Sequence, residues 1–363
     1  MAKKLRPDRI LFFVTLTLVA LGVAMVFSSS AVVASQKFGD PNYFAFKQLL
    51  AATLGLAAMF VVMKVDYRVY RHPGAVFTVL AVVVALLVLV FFLPAQKGTH
   101  RWIVLPAFSL QPSEMGKLAL IFFLAYFLEK RQHDVNNIQL TLIPIGSVLA
   151  VLCALIYVQP DLGTSLSLLI VTAILLFAAG LDLRWYAFSA MMTVPAFYFF
   201  VYRVPYRWDR IRAFLDPEGD PLGRGFQGIQ AKLAVGSGGL LGLGFMEGKQ
   251  KLFYLPEAHT DFIFAVLGEE IGLIGTSIVL LLFGVFLWRG VRTALRAQDR
   301  FGFYLALGVT MMVAVQAFIN MSVVLGLLPN KGITLPFLSY GGSSFVVMLA
   351  AVGILLNVSQ QSS

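Results

Sequence analysis

Leu255-Pro256-Glu257-Ala258-His259-Thr260-Asp261 runs without a break into residues 262–288, an apolar stretch long enough to cross a membrane. A carboxylate at the mouth of such a helix is costly unless something pairs with it or uses it. Asp261 is therefore the first residue to explain, and the stretch behind it sets the solvent in which the rest of the chain is read.

Outward from this junction the pattern repeats. Of 363 residues, 59% are hydrophobic and 13% charged, and the mean hydropathy is +0.84. That is outside the range of soluble globular chains and inside that of polytopic membrane proteins. Windows of about 20 residues place spans at 10–32, 44–63, 74–93, 113–127, 140–158, 163–180, 183–202, 262–288, 303–325 and 343–358. The expected fold is an all-α polytopic membrane protein of ten transmembrane helices, one domain over 1–363, with one large outer loop at 203–260 between the seventh and eighth. The first span is longer than a signal-peptide core and ends without a small-residue cleavage signature, so it is read as retained.

Basic residues orient the bundle. With the N-terminus inside, the inner segments hold Lys3, Lys4, Arg6, Arg9, Lys64, Arg68, Arg71, Lys130, Arg131, Arg184, Arg289, Arg292, Arg296 and Arg300, against Lys37, Lys97, Arg101 and Lys331 in the short outer loops. Both termini are expected in the cytoplasm. The net charge of +10 is thereby accounted for by topology and anionic lipid, and nucleic acid is not an expected partner. Cys153 is the single cysteine, so no internal disulfide can form.

The loop 203–260 does not read as disordered. Phe226, Ile229 and Leu233 recur at helical spacing, which suits a short helix lying in the membrane interface. The run 236–244 is glycine-rich, but no strand precedes it and no Gly-Lys-Ser/Thr ends it, so it is read as backbone packing close to a neighbour, or moving, rather than as a phosphate loop. Gln111-Pro112-Ser113 and Gln159-Pro160-Asp161 each set Gln-Pro before a good capping residue. Two helix N-termini should therefore open on one outer face, where their partial positive ends suit an anionic group such as a phosphate.

Polar residues gather on that face. Glu114 and Lys117 share a helical face, either as an internal salt bridge or as part of a substrate path. Asp161 is a helix cap or a working acid. Arg101, beside Trp102, and Lys47 are interfacial anchors or phosphate ligands. For Asp261 the alternatives are capping of the following helix, which Thr260 could do equally well, or general-base work favoured by a desolvated site. His259 is read as its hydrogen-bonding neighbour. Glu269 and Glu270, about 12 Å further along the helix, are expected to be internal partners for a cation or for backbone groups. Residues 329–344, punctuated by proline and glycine, should form a re-entrant or outer loop covered by protein. Such a face fits a lipid-linked pyrophosphate bearing a sugar. No zinc-type cluster is present, and a hard cation such as magnesium could bridge a carboxylate and a pyrophosphate.

These residues resemble the SEDS family, the FtsW, RodA and SpoVE proteins, over essentially the whole chain. The resemblance rests on Arg101-Trp102-Ile103, Gln111-Pro112-Ser113-Glu114 with Lys117, Gln159-Pro160-Asp161-Leu162-Gly163-Thr164, residues 255–264, Gly268-Glu269-Glu270-Ile271-Gly272, and Leu335-Pro336-Phe337-Leu338-Ser339-Tyr340-Gly341-Gly342-Ser343-Ser344. Lys251-Leu252-Phe253-Tyr254-Leu255-Pro256-Glu257 and Gly326-Leu327-Leu328-Pro329 with Lys331-Gly332 are more like the FtsW branch than RodA. Lys47-Gln48 departs from the family's more frequent arginine, which loses a two-pronged phosphate grip.

The resemblance implies a peptidoglycan glycosyltransferase that polymerises lipid II on the outer face of the bacterial cytoplasmic membrane during division and releases undecaprenyl pyrophosphate. It also implies a class B penicillin-binding protein and other division membrane proteins as partners, with the growing glycan strand as co-substrate. On the same footing, Asp261 is the expected catalytic carboxylate, the base on the acceptor sugar's 4-hydroxyl. Lys117, Arg101 and Lys47 would face the departing pyrophosphate, and Glu114, Asp161 and His259 would support the substrate site. The rival readings are a lipid II flippase, disfavoured because the inner halves of the spans are nearly uncharged, and a non-catalytic division scaffold.

Overall fold

The computed structural model describes residues 6–96, 98–104, 109–252 and 254–361. Lys3, Lys4 and Lys97, used above for orientation, and Phe253 of the Lys251–Glu257 motif lie outside them. The chain forms α1 Arg9–Phe38, α2 Tyr43–Lys64, α3 Pro73–Leu89, α4 Pro112–Lys130, α5 Ile143–Val158, α6 Leu162–Ala179, α7 Leu183–Phe197, α8 Pro205–Leu215, α9 Phe226–Ser237, α10 Ile263–Leu295, α11 Arg300–Val324 and α12 Gly342–Gln361. Two-residue strands Ile103–Val104 and Ser109–Leu110 pair antiparallel ahead of α4.

Helix boundaries follow local chemistry. Asp8 and Asp299 accept from the backbone N–H groups of Leu11 and Gly302 at the starts of α1 and α11. Prolines open α3, α4 and α8, where a missing N–H costs nothing. Gly39 and Gly180 close α1 and α6 in the left-handed conformation.

Among the described residues, eight helices are long and apolar enough to cross a membrane, nine if the bent pair formed by 183–202 and α8 is one span. The expected count of ten is therefore not reproduced by length and composition alone. Physically, the expected span 113–127 lies in α4, which carries Glu114, Lys117, Glu129 and Lys130 and so fails as an apolar segment even though Glu114 and Lys117 are buried. The expected span 183–202 is α7 plus a π-helical turn, and at its end the chain turns by 104° into α8.

The core lies around the last two helices: 72% of the spanning windows of both α11 and α12 is buried, against 22% for the third and fifth spans, and α7 has no buried residue. Small residues bring α12 and α2 together. A Cβ on Gly353 would stand 2.6 Å from the Met59 carbonyl oxygen, and one on Gly55 2.6 Å from Leu349. Large apolar side chains such as Phe13, Phe92 and Phe177 face outward, as lipid allows.

In α10, Gly272 sits at φ 69° and ψ −165°, a conformation open only to glycine, and the helix breaks there. An unbroken helix would bond Leu273 N–H to Glu269 C=O and Ile274 N–H to Glu270 C=O. Instead the glycine-rich ribbon enters the gap: Leu243 N–H donates to Glu269 O (3.0 Å), Gly244 N–H to Glu270 O (3.0 Å), Leu273 N–H to Gly239 O (2.9 Å) and Ile274 N–H to Leu240 O (3.2 Å). Only glycine permits this approach, since a Cβ on Gly242 would meet Glu270 O at 2.1 Å and one on Gly238 would meet Gly268 O at 2.0 Å. The close-packing reading of 236–244 is thus correct.

The two glutamates at the break act as expected. Glu269 accepts from the backbone N–H groups of Lys249 (2.8 Å) and Gln250 (3.2 Å). Glu270 pairs with Lys251 at 2.6 Å and accepts from Ser28 Oγ and the Met246 N–H. The short helix expected from Phe226, Ile229 and Leu233 is present as α9; its buried residues are Ala231 and Ala234, while Leu233 is exposed. Close helix approach selects the small-residue face over the bulky one.

Candidate functional site

Residues 325–341 join α11 to α12 without regular structure, yet Ile333, Leu335, Phe337 and Leu338 are buried. The loop is covered by protein, as irregular backbone between membrane helices must be. The Phe337 carbonyl closes on Gly22 of α1, where a Cβ would be 2.0 Å from it, and the Phe337 ring packs 5.9 Å from Phe286 of α10. Gln48 of α2 donates to Ser339 O at 3.3 Å.

This loop and α11 together hold the segment that carries Asp261. Ser339 Oγ donates to Thr260 O (2.6 Å), Tyr340 N–H to His259 O (3.0 Å), and Asn320 Nδ2 to Asp261 O (2.8 Å). The Asp261 carboxylate borders Gly332, whose added Cβ would be 3.0 Å from Oδ2. The capping position of α10 is Phe262, so neither Thr260 nor Asp261 occupies it. The His259 ring clusters with Phe44 (4.8 Å) and Tyr340 (5.8 Å), which also touch each other.

Lys117 sits on the other side of the same loop. It pairs with Glu114 at 2.8 Å, both nearly fully buried, and donates to Gln316 Oε1 at 2.7 Å. Glu114 also accepts from Ser344 Oγ at 2.7 Å, and Gln316 Nε2 donates to Thr334 O at 3.0 Å. The salt bridge is real, yet it does not exhaust Lys117: an ammonium has three donors, and two are used here. Beside it, Lys117, Leu120, Ser167, Val171 and Met312 line a small cavity of about 10 Å³.

The two Gln-Pro helix starts are neighbours, as expected: Gln111 Nε2 reaches Asp161 Oδ2 at 3.4 Å. Of their two expected caps, Asp161 is in place and Ser113 is not. Asp161 caps α6 through Thr164 N–H (3.0 Å) and Thr164 Oγ1 (2.8 Å). In α4 the capping position is Gln111, without a side-chain cap bond, and Ser113 lies inside the helix with its Oγ buried and unpartnered among the described residues. Arg101 donates to the carbonyls of Gln159 and Pro160, both at 2.5 Å, so it braces the α5–α6 corner. Lys47 is exposed and stays on its own helix, bonded to Tyr43 Oη at 2.6 Å.

Two kinds of residue escaped the sequence reading. Gln316 and Asn320 are buried amides in an apolar span, a signal that was there to be used. Lys331, read for orientation and as part of the resemblance but not as a site residue, is half-buried beside Gly332, and burial together with the charge of Arg210 lowers its pKa. For a metal, no three His, Cys, Asp or Glu side chains converge among the described residues.

The FtsW/RodA/SpoVE family model, described as "Cell cycle protein", matches residues 8–363. A Geobacter metallireducens protein named "Probable peptidoglycan glycosyltransferase FtsW" is 49% identical, covering 98% of this chain and 95% of its own. Stage V sporulation protein E of Bacillus subtilis is 46% identical over 99% of both. Among solved structures, a chain of a peptidoglycan synthase complex aligns with a TM-score of 0.78 and 30% identity over 97% of each chain. The rod shape determining protein RodA of Thermus thermophilus aligns with a TM-score of 0.71 and 26% identity, over 98% of this chain and 97% of that one. Matched along almost its whole length by the family model and by relatives of nearly half-identical sequence, this multi-pass membrane protein belongs to the FtsW/RodA/SpoVE family.

Proposed function

We propose that this chain is a peptidoglycan glycosyltransferase that polymerises lipid II at the outer face of the cytoplasmic membrane during division. Both termini lie inside and the Asp261 face outside. The observation that carries the reading is that one loop, 325–341, bonds to Thr260 and His259 and borders the Asp261 carboxylate at Gly332, while its Thr334 shares Gln316 with the buried Lys117. A carboxylate and a desolvated cation are the pair this reaction needs.

Asp261 takes the proton of the acceptor sugar's 4-hydroxyl as that oxygen bonds to the donor's anomeric carbon. The bond from that carbon to the pyrophosphate oxygen breaks, and undecaprenyl pyrophosphate leaves with the bonding electrons. Lys117, with its remaining donor, faces the departing pyrophosphate. Arg101, Lys47, Glu114, Asp161 and His259 shape the surrounding site. A magnesium ion, if one takes part, would be held by Asp261 and would help neutralise charge on the departing pyrophosphate; assay with EDTA tests it. A class B penicillin-binding protein is the partner that cross-links the product.

The test uses purified protein, with and without that partner, supplied with labelled lipid II. Polymer from wild type and none from a folded Asp261→Ala variant is the expected result. No polymer from wild type in either state would overturn the reading in favour of flipping or scaffolding, and polymer from the variant would remove Asp261 from the chemistry.

A further inference from the structure

We infer that Gln316 and Asn320 of α11 are positioning residues that set Lys117 and Asp261 in register with each other. The inference rests on the glycosyltransferase reading above. The two amides are four residues apart, hence on one helical face about 6 Å apart along the axis, and both are buried. Gln316 accepts from Lys117 and donates to Thr334 O. Asn320 donates to Ile333 O (2.7 Å) and to Asp261 O (2.8 Å). Two successive loop carbonyls, 333 and 334, are thus each pinned by one amide, and the other contact of each amide reaches a proposed catalytic group or its main chain.

The residue types are specified by this geometry. Gln316 meets a donor-only ammonium on one side and a carbonyl on the other, so it must be acceptor and donor at once, which an amide is and a carboxylate or an amine is not. Asn320 meets two carbonyls with one nitrogen, and turning the amide over would set oxygen against oxygen. The arrangement holds even though Asn320 Oδ1 is left buried without a partner among the described residues, a cost that a purely packing residue would avoid. The consequence is mechanical: the separation of Asp261 from Lys117 is fixed by the pitch of α11 rather than by either loop, and such spacing controls rate when the acid–base group and the leaving-group cation must act together.

The experiment uses the full chain with its penicillin-binding partner and labelled lipid II, comparing wild type, Gln316→Met, Asn320→Leu and the double variant. Each single change is expected to lower kcat by about tenfold or more with KM within about twofold, the pattern of lost transition-state alignment. The double variant should fall no more than about threefold below the worse single, because both act through the same carbonyl pair. A kcat within about twofold of wild type, a loss carried by KM, or a double variant equal to the product of the singles would each overturn the inference. Should Gln316→Met not assemble, Gln316→Glu carries the test: it keeps the acceptor for Lys117, loses the donor to Thr334, and must still lose kcat. Hydrogen exchange over 332–336 separates the two levels. If wild type makes no polymer the enzymatic reading fails, whereas unchanged exchange in the variants refutes the positioning role by itself.

Discussion

Replacing Lys251 by methionine breaks an ion pair whose side chains are 4% and 0% exposed and whose charges stand 2.6 Å apart. At an effective dielectric constant of about 20, the attraction before desolvation is roughly 6 kcal/mol. In Lys251→Met, Glu270 would keep only Ser28 Oγ, at 2.6 and 2.7 Å, and the Met246 N–H at 3.2 Å, so a buried carboxylate would lack its counter-charge. Breaking one side of such a pair costs about 3–5 kcal/mol. Replacing both sides is close to neutral, so Lys251→Met with Glu270→Gln should return to within about 1 kcal/mol of wild type. The assay is a four-protein cycle of SDS-induced unfolding in mixed micelles, read by tryptophan fluorescence. A single-variant loss below about 1 kcal/mol, or a double variant that loses the sum of the singles, would refute the claim that this pair fastens the 245–251 segment to the broken helix.

Three further outcomes are expected. Gly272→Ala should destabilise, because it adds about 1–3 kcal/mol of backbone strain and sets a Cβ 2.3 Å from Gly242 N; in the same micelle assay a stabilised variant would deny the break. Asp161→Ala should lose about 0.5–2 kcal/mol as the cap of α6 is removed, whereas Asp161→Asn, an equally good cap, should keep most polymerase activity; a loss beyond about tenfold in the latter would make the charge itself necessary. For Lys331, burial and Arg210 hold the folded pKa below 10.5. Between the folded and unfolded values the folded state binds fewer protons, so stability rises with pH across that window and levels off above it; alkaline unfolding profiles should show this rise, and Lys331→Met should abolish it.

Much of this was legible in the residues. Hydropathy placed eight of the ten expected spans, nine with the bent pair, because lipid makes long apolar runs obligatory. Glu269 and Glu270 announced internal partners, since charges inside a membrane bundle must be answered, and the glycine run announced close packing. What was not legible depended on partners far along the chain. Nothing in the apolar pattern of 262–288 says that Gly272 opens a turn, because periodicity does not reveal which carbonyl an N–H will choose. The buried face of α9 was hidden for the same reason: the spacing of Phe226, Ile229 and Leu233 marks a helix but does not say that Ala231 and Ala234 meet protein. Ser113 looked like a cap because it follows Gln-Pro as Asp161 does, but the paired strands 103–104 and 109–110 deliver the chain to α4 at Gln111.

The charges of α4 bear on how the molecule is made. Gln316 and Ser344, which complete the surroundings of Lys117 and Glu114, lie 199 and 230 residues further along the chain. During synthesis α4 must therefore enter the bilayer with its acid and its lysine neutralising only each other, and wait for the C-terminal helices to supply the rest. A chain that stops before α11 would strand an incompletely answered ion pair in lipid, so the final two spans act as a proofreading step on the fourth, and truncated copies would be marked for removal by α4 itself.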